Sequence, residues 1–146
     1  MADVVDKATR SRMMAGIKAK DTAPELVVRR FLHSLGFRYR LHVKALPGKP
    51  DIVLPKYRTA IFVHGCFWHQ HPGCKDAVMP KNNAKFWKDK LDGNTRRDAR
   101  NFSGLERLGW QCLVVWECEV KSSTMQKSLI RKLRRGQRRP NPIPMP

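Results

Sequence analysis

Apolar positions recur along the chain at two spacings, and each change of spacing marks a new element. In "DTAPELVVRRFLHSLGF", residues 21–37, Val27, Val28, Phe31, Leu32 and Leu35 return every three or four positions, as one face of a helix does. Thr22 is placed to cap that helix, Pro24 suits its first turn, Glu25 closes a capping box and Gly36 supplies the stop. The spacing then falls to two. "FRYRLHV" alternates as a half-buried strand, "PDIVL" and "TAIFVHG" are short β-branched runs, and "PKYR" between them is a turn, so three strands are predicted in a hairpin-rich sheet. "NNAKFWKDKL" and "NTRRDARNFSGLERLG" predict two further helices, the second closing at Gly109. "WQCLVVWEC" is almost wholly apolar, the mark of a strand covered on both faces. "STMQKSLIRKLRRG" predicts a short basic helix, and the Pro-rich "QRRPNPIPMP" a disordered tail.

Before all of this, residues 1–20 are polar and basic with scattered Met13, Met14 and Ile17, which predicts an arm ordered by a partner. The order helix, strands, helices, strand, helix predicts an α/β fold with helices packed on a mixed sheet. The arm, a body over residues 21–120 and a basic helix and tail over 121–146 are the expected divisions. At 146 residues the chain suits one compact domain.

Charge narrows the partner. Thirty Lys and Arg against twelve Asp and Glu give +18, which calls for a polyanion, and nucleic acid suits it best. No apolar run nears the ~20 residues of a membrane span, and no signal-peptide core opens the chain, so a cytoplasmic protein is expected. Cys66, Cys74, Cys112 and Cys118 are then expected as metal ligands or free thiols rather than disulfides. Between residues 26 and 75 the only acid is Asp51, among nine Lys and Arg. A turn residue after Gly-Lys-Pro is one reading of it. A carboxylate at the mouth of a strand, holding a divalent ion beside a phosphate, is the other. In the common PD-(D/E)xK nuclease core the next strand would bring a second acid and a lysine, whereas here it ends in Val63-His64.

The stretch "IFVHGCFWHQHPGC", residues 61–74, carries most of the candidate chemistry. Cys66, His71 and Cys74 supply three zinc-type ligands at short spacing, and Cys118, just past the last strand, can supply the fourth. Cys112 competes for that place but sits mid-strand, where a core thiol is expected. With four protein ligands the shell closes, so the zinc would be structural. His64 and His69 remain, and imidazoles near a phosphate can move a proton or steady charge. Phe67 and Trp68 could both be presented outward by a stapled loop to wedge into a base step, although core packing is the commoner fate of a Trp. Phe86, Trp87, Trp110 and Trp116 are assigned to the core.

Taken together, "DKATRSRMM", "DTAPE", "LPGKPDIV", "IFVHGCFWH" and "LGWQCLVVWEC", in order from about residue 5 to 120, resemble the very short patch repair (Vsr) endonucleases. The resemblance implies a restriction-endonuclease-like fold with a structural zinc and magnesium-dependent nicking on the 5′ side of the thymine in a T·G mismatch left by 5-methylcytosine deamination. It implies that Asp51 and the backbone carbonyl of Val63 hold magnesium, that His69 is the general base, that His64 assists at the phosphate, and that Glu25 reaches into the site. It also implies Cys66, His71, Cys74 and Cys118 as the zinc set, and Phe67, Trp68 and Met14 as the wedge. A monomer acting on duplex DNA at the nucleoid is expected, beside a cytosine-5 methyltransferase and mismatch-repair proteins. The chain departs from some relatives in "HQHPGC", one residue longer before the second cysteine, and in Val63 where others have Thr. A nuclease of the same fold without mismatch preference, and a catalytically silent mismatch-binding module, are the alternatives.

Overall fold

Val28 and Leu32 are wholly buried, so the helical spacing of the first apolar stripe does face a core. They lie on α1 (Ala23–Ser34) in the computed structural model, which describes residues 21–136. The arm, with Met14, and the tail lie outside the described residues. Thr22 caps α1 by accepting from the Glu25 amide at 3.3 Å, as expected. The Glu25 carboxylate accepts from the amide of Asp21 at 3.2 Å, so the box closes one residue further out than the sequence suggests. Gly36 stands beyond the helix at φ 84, a conformation that favours glycine. Leu35, placed in the apolar stripe by its spacing, falls past the last turn and is 49% exposed.

Four strands follow the predicted runs: β1 (Arg40–Leu41), β2 (Ile52–Leu54), β3 (Thr59–His64) and β4 (Gln111–Trp116). They form one sheet in that order, antiparallel from β1 to β3 and parallel between β3 and β4. β1 is much shorter than "FRYRLHV" suggests, because His42 takes a left-handed conformation at φ 47 and turns the chain out of the ladder. The turn between β2 and β3 is a 3-10 turn at Pro55–Tyr57, finished by Arg58 at φ 51.

The two helices predicted between β3 and β4 are a single one, α2 (Ala84–Arg107), of 24 residues, ending two residues before Gly109. Gly93 and Asn94 are weak helix formers, and the sequence reading broke there. Burial of Trp87 and Leu91 on one side of that point and Leu105 on the other carries the helix through it. The predicted basic helix forms as α3 (Ser123–Gly136).

Period-2 alternation then sorts the sheet into two faces. Ile52, Leu54, Ile61, Leu113 and Val115 pack with Val28 and Leu32 of α1 and Leu129 and Leu133 of α3. Val53, Ala60 and Phe62 pack with Leu105 of α2 and with Trp110 on the opposite face. The mixed α/β fold of helices on a sheet is therefore observed, with α1 and α3 on one side and α2 on the other. β4 closes one side of the sheet, with Cys112 and Val114 half-buried against the α2 layer.

Gly93 gives a direct check on the continuity of α2. A Cβ at Gly93 meets nothing within 4 Å, whereas at Gly104 it would lie 3.3 Å from Pro47 Cγ. Gly93→Ala should stabilise the protein by about 0.5–1 kcal/mol, and Gly104→Ala should gain less, as read from thermal or denaturant unfolding. Loss of stability in Gly93→Ala would mean that the helix is interrupted there.

Candidate active site and metal cluster

Asp51 directly precedes β2, and the antiparallel pairing of β2 with β3 sets it beside the end of β3. Its Oδ2 accepts from the Val63 amide at 2.8 Å. Burial pushes the Asp51 carboxyl up to about 6, against the pull of that hydrogen bond, and the charge of Glu25 adds to the rise. A buried carboxyl raised in part by a second carboxylate beside it suits a divalent cation. The recess is a cleft of about 480 Å³ lined in part by Glu25, Asp51, Val63, His64, His69 and Asp98. The structure thus brings together around one cleft all the catalytic candidates read from the sequence.

Glu25 is 1% exposed and saturated with donors. Its Oε2 lies 3.0 Å from Arg29 Nη1, one helical turn on, and 2.9 Å from His42 Nε2. Helix cap and cleft wall are therefore compatible roles for it. His64, the last residue of β3, is held down to about 4 by burial, with the neighbouring His69 adding to the effect, so it is neutral at pH 7. The rings of His64 and His69 stack face to face, centroids 3.7 Å apart and 6° from parallel.

His69 has a partner that the sequence reading missed. Asp98, on α2, places Oδ2 at 2.6 Å from His69 Nδ1. An ionised carboxylate only accepts hydrogen bonds, so it fixes the proton on Nδ1 and leaves Nε2 unprotonated in the neutral ring. A signal was there to be read: Asp98 is the only acid from residue 93 to 105, among Arg96, Arg97 and Arg100, the same pattern that singled out Asp51. His42 was also missed, and nothing in its local sequence marks it.

Past the parallel ends of β3 and β4, Cys66, His71, Cys74 and Cys118 converge, with one ligand atom of each lying within 4.8 Å of all the others. Cys66 Sγ and Cys118 Sγ stand 3.6 and 3.5 Å from His71 Nδ1. A tetrahedral shell with metal–sulfur and metal–nitrogen bonds of zinc length has an S···N edge of about 3.6 Å, so the donor set and its spacing fit such an ion. Burial pushes the Cys66 thiol up to about 12, the environment in which a cation is needed to hold a thiolate. Cys112 Sγ instead points to the Phe102 carbonyl at 3.8 Å, outside the cluster. The longer "HQHPGC" segment is taken up by left-handed Gln70 (φ 50) and Gly73 (φ 72). The Cys66 amide donates to Glu117 Oε1 at 2.9 Å, and the His71 ring stacks on Trp116 at 4.2 Å.

Phe67 and Trp68 are both half-buried. They meet edge to face at 5.1 Å, and both lean on Trp87 of α2, at 5.5 and 5.9 Å. Trp87 and Trp110 are core residues as expected. Trp116 is half-buried against the cluster instead. Phe86 is 44% exposed and is not a core residue. Trp68 also reaches the cleft wall, so the aromatic group adjoins the catalytic candidates.

A family profile described as "DNA mismatch endonuclease Vsr" matches residues 2–76. The chain is 46% identical over 121 residues to the DNA mismatch endonuclease Vsr of Escherichia coli, covering 83% of this chain and 77% of that one. It is 44% identical over 133 residues to the type II nicking enzyme V.NmeAIP of Neisseria meningitidis, covering 91% and 94%. The type II nicking enzyme V.XorIIP of Xanthomonas oryzae is similar at 42% identity, covering 91% and 97%.

The cluster geometry predicts about one tightly held metal ion per chain. Elemental analysis should find it lost, with a fall in stability, in Cys118→Ser and kept in Cys112→Ser. Equal loss from both variants would remove Cys118 from the set.

Proposed function

The chain belongs to the DNA mismatch endonuclease Vsr family, and from that premise we propose that it is a magnesium-dependent, strand-specific endonuclease that nicks duplex DNA on the 5′ side of the thymine in a T·G mismatch. Such mismatches arise when 5-methylcytosine is deaminated, which puts the enzyme in company with a cytosine-5 methyltransferase and mismatch-repair proteins. It acts as a cytoplasmic monomer; among the described residues no helix is long and apolar enough to cross a membrane. The observation that carries the reading is the convergence, in one cleft, of Asp51 with a histidine whose tautomer Asp98 fixes.

Phosphodiester hydrolysis needs charge stabilisation at the phosphate and a base for the attacking water. Asp51 and the Val63 carbonyl would hold Mg²⁺, which supplies Lewis-acid stabilisation of the phosphate when bound. His69 Nε2 takes the proton from water as the water oxygen bonds to phosphorus and the bond to the leaving sugar oxygen breaks. Asp98 steadies the imidazolium that results. His64, neutral, stacked on His69 and lining the same cleft, limits the rotation of that ring and would face the phosphate. Glu25 completes the acidic wall beside Asp51.

Cys66, His71, Cys74 and Cys118 would hold Zn²⁺ in a closed shell, which ties the loop to β4 and does no chemistry itself. The +18 charge binds phosphates without regard to sequence, so mismatch choice must come from elsewhere. Phe67 and Trp68, with Met14 from the arm, enter the base step beside the mismatch. A wobble pair unstacks at lower cost than a Watson–Crick pair, and that difference becomes discrimination.

Asp51→Asn should lower the cleavage rate by ~100-fold or more while leaving T·G binding within a few fold. Near-normal cleavage by this variant would remove Asp51 from the site. Trp68→Ala should weaken T·G binding by roughly 1–3 kcal/mol with little change in salt dependence. Equal weakening on fully paired duplexes would show that Trp68 packs the fold and does not read the mismatch.

A further inference from the structure

His42 has no part in the mechanism above, yet it contacts two of the acidic residues that line the cleft, Glu25 and Asp51. Its amide donates to the Asp51 carbonyl at 3.1 Å, and its Nε2 stands 2.9 Å from Glu25 Oε2. It makes both contacts from φ 47, a left-handed conformation that strains any residue with a Cβ. That conformation also takes residue 42 off the alternation of β1, so that strand pairing stops at Leu41. Backbone strain held beside an active site needs a compensating interaction, and the bond to Glu25 is one.

The other donors to Glu25 lie close to it in the chain. Arg29 is one turn along the same helix, and the Asp21 amide precedes that helix. Among the described residues, His42 is the donor that reaches Glu25 from the sheet, and the same residue is hydrogen-bonded to the backbone of Asp51. One residue thus links the Glu25 carboxylate to the backbone from which the Asp51 carboxylate projects.

We propose that His42 is a positioning residue, which fixes the Glu25 carboxylate through its ring and the Asp51 backbone through its amide, and so sets the gap between Glu25 and Asp51. This rests on the reading of Asp51 and Glu25 as cleavage machinery. His42→Gly keeps the amide, relieves the strained φ and removes only the ring. His42→Gln keeps a side-chain donor at a similar reach.

The test compares both variants with the unaltered enzyme by thermal unfolding, by T·G duplex binding without divalent ions, and by cleavage over a magnesium titration. His42→Gly should unfold within a few degrees of the unaltered chain and bind the duplex equally well. Its kcat should fall, and its half-saturating magnesium rise, by about 10–100-fold, with KM for duplex unchanged. His42→Gln should recover most of both. Normal cleavage by His42→Gly would overturn the proposal, and so would a loss of stability and activity together that His42→Gln does not restore. Asp51→Asn and Glu25→Gln are measured in parallel. If they are inactive while His42→Gly is normal, positioning by His42 fails alone; if both cleave normally, the cleft assignment fails and takes this inference with it.

Discussion

The parallel pairing of β3 with β4 is the constraint on which the site depends. His64 stands opposite Trp116 in that ladder, so Cys66 and Cys118, each two residues further on, leave the sheet side by side. One metal shell can then join two segments far apart in the chain. A parallel pair also requires a long crossover, and here the crossover contains α2. That helix brings Asp98 to His69 and sets Trp87 beneath Phe67 and Trp68. Trp116 links the two halves of the site, stacking on His71 at 4.2 Å and meeting the edge of His64 at 5.3 Å. A shift of the ladder by one residue would separate the cluster, the stacked histidines and the aromatic group together.

Charge is arranged against the general trend of the chain. A protein of +18 attracts phosphate everywhere, and the cleft gathers several of its few acids. Those acids are fixed by specific donors: Asp51 by the Val63 amide, Glu25 by Arg29 and His42, and Asp98 by His69. Burial raises Asp51 to about 6 and holds His64 at about 4, so the charged form of each is disfavoured relative to water, although Asp51 stays largely ionised at pH 7.

Much of this was legible in the sequence where the signal is local. The cysteine and histidine spacing of residues 66–74 marks the cluster, and Cys118 was preferred to Cys112 because one follows the strand and the other lies within it. The strand runs were visible for the same reason. What was missed depends on contacts between distant parts of the chain. Asp98 and His69 are 29 residues apart, and His42 and Glu25 are 17 apart, so neither pair exists before the fold does. The break placed at Gly93 followed local propensity, which packing on both sides overrides. Hydropathy alone also could not tell exposed Phe86 from buried Trp87, because a helix turns 100° between them.

Strand-specific recognition of a T·G pair is the central claim, and nick mapping tests it most directly. The protein is incubated with magnesium and end-labelled duplexes identical except at one position, which holds T·G, A·T or G·C. One nick is expected, on the 5′ side of the mismatched thymine, in the thymine strand of the T·G duplex alone. Cleavage of all three duplexes at equal rates, or tight T·G binding with no nick in either strand, would contradict it.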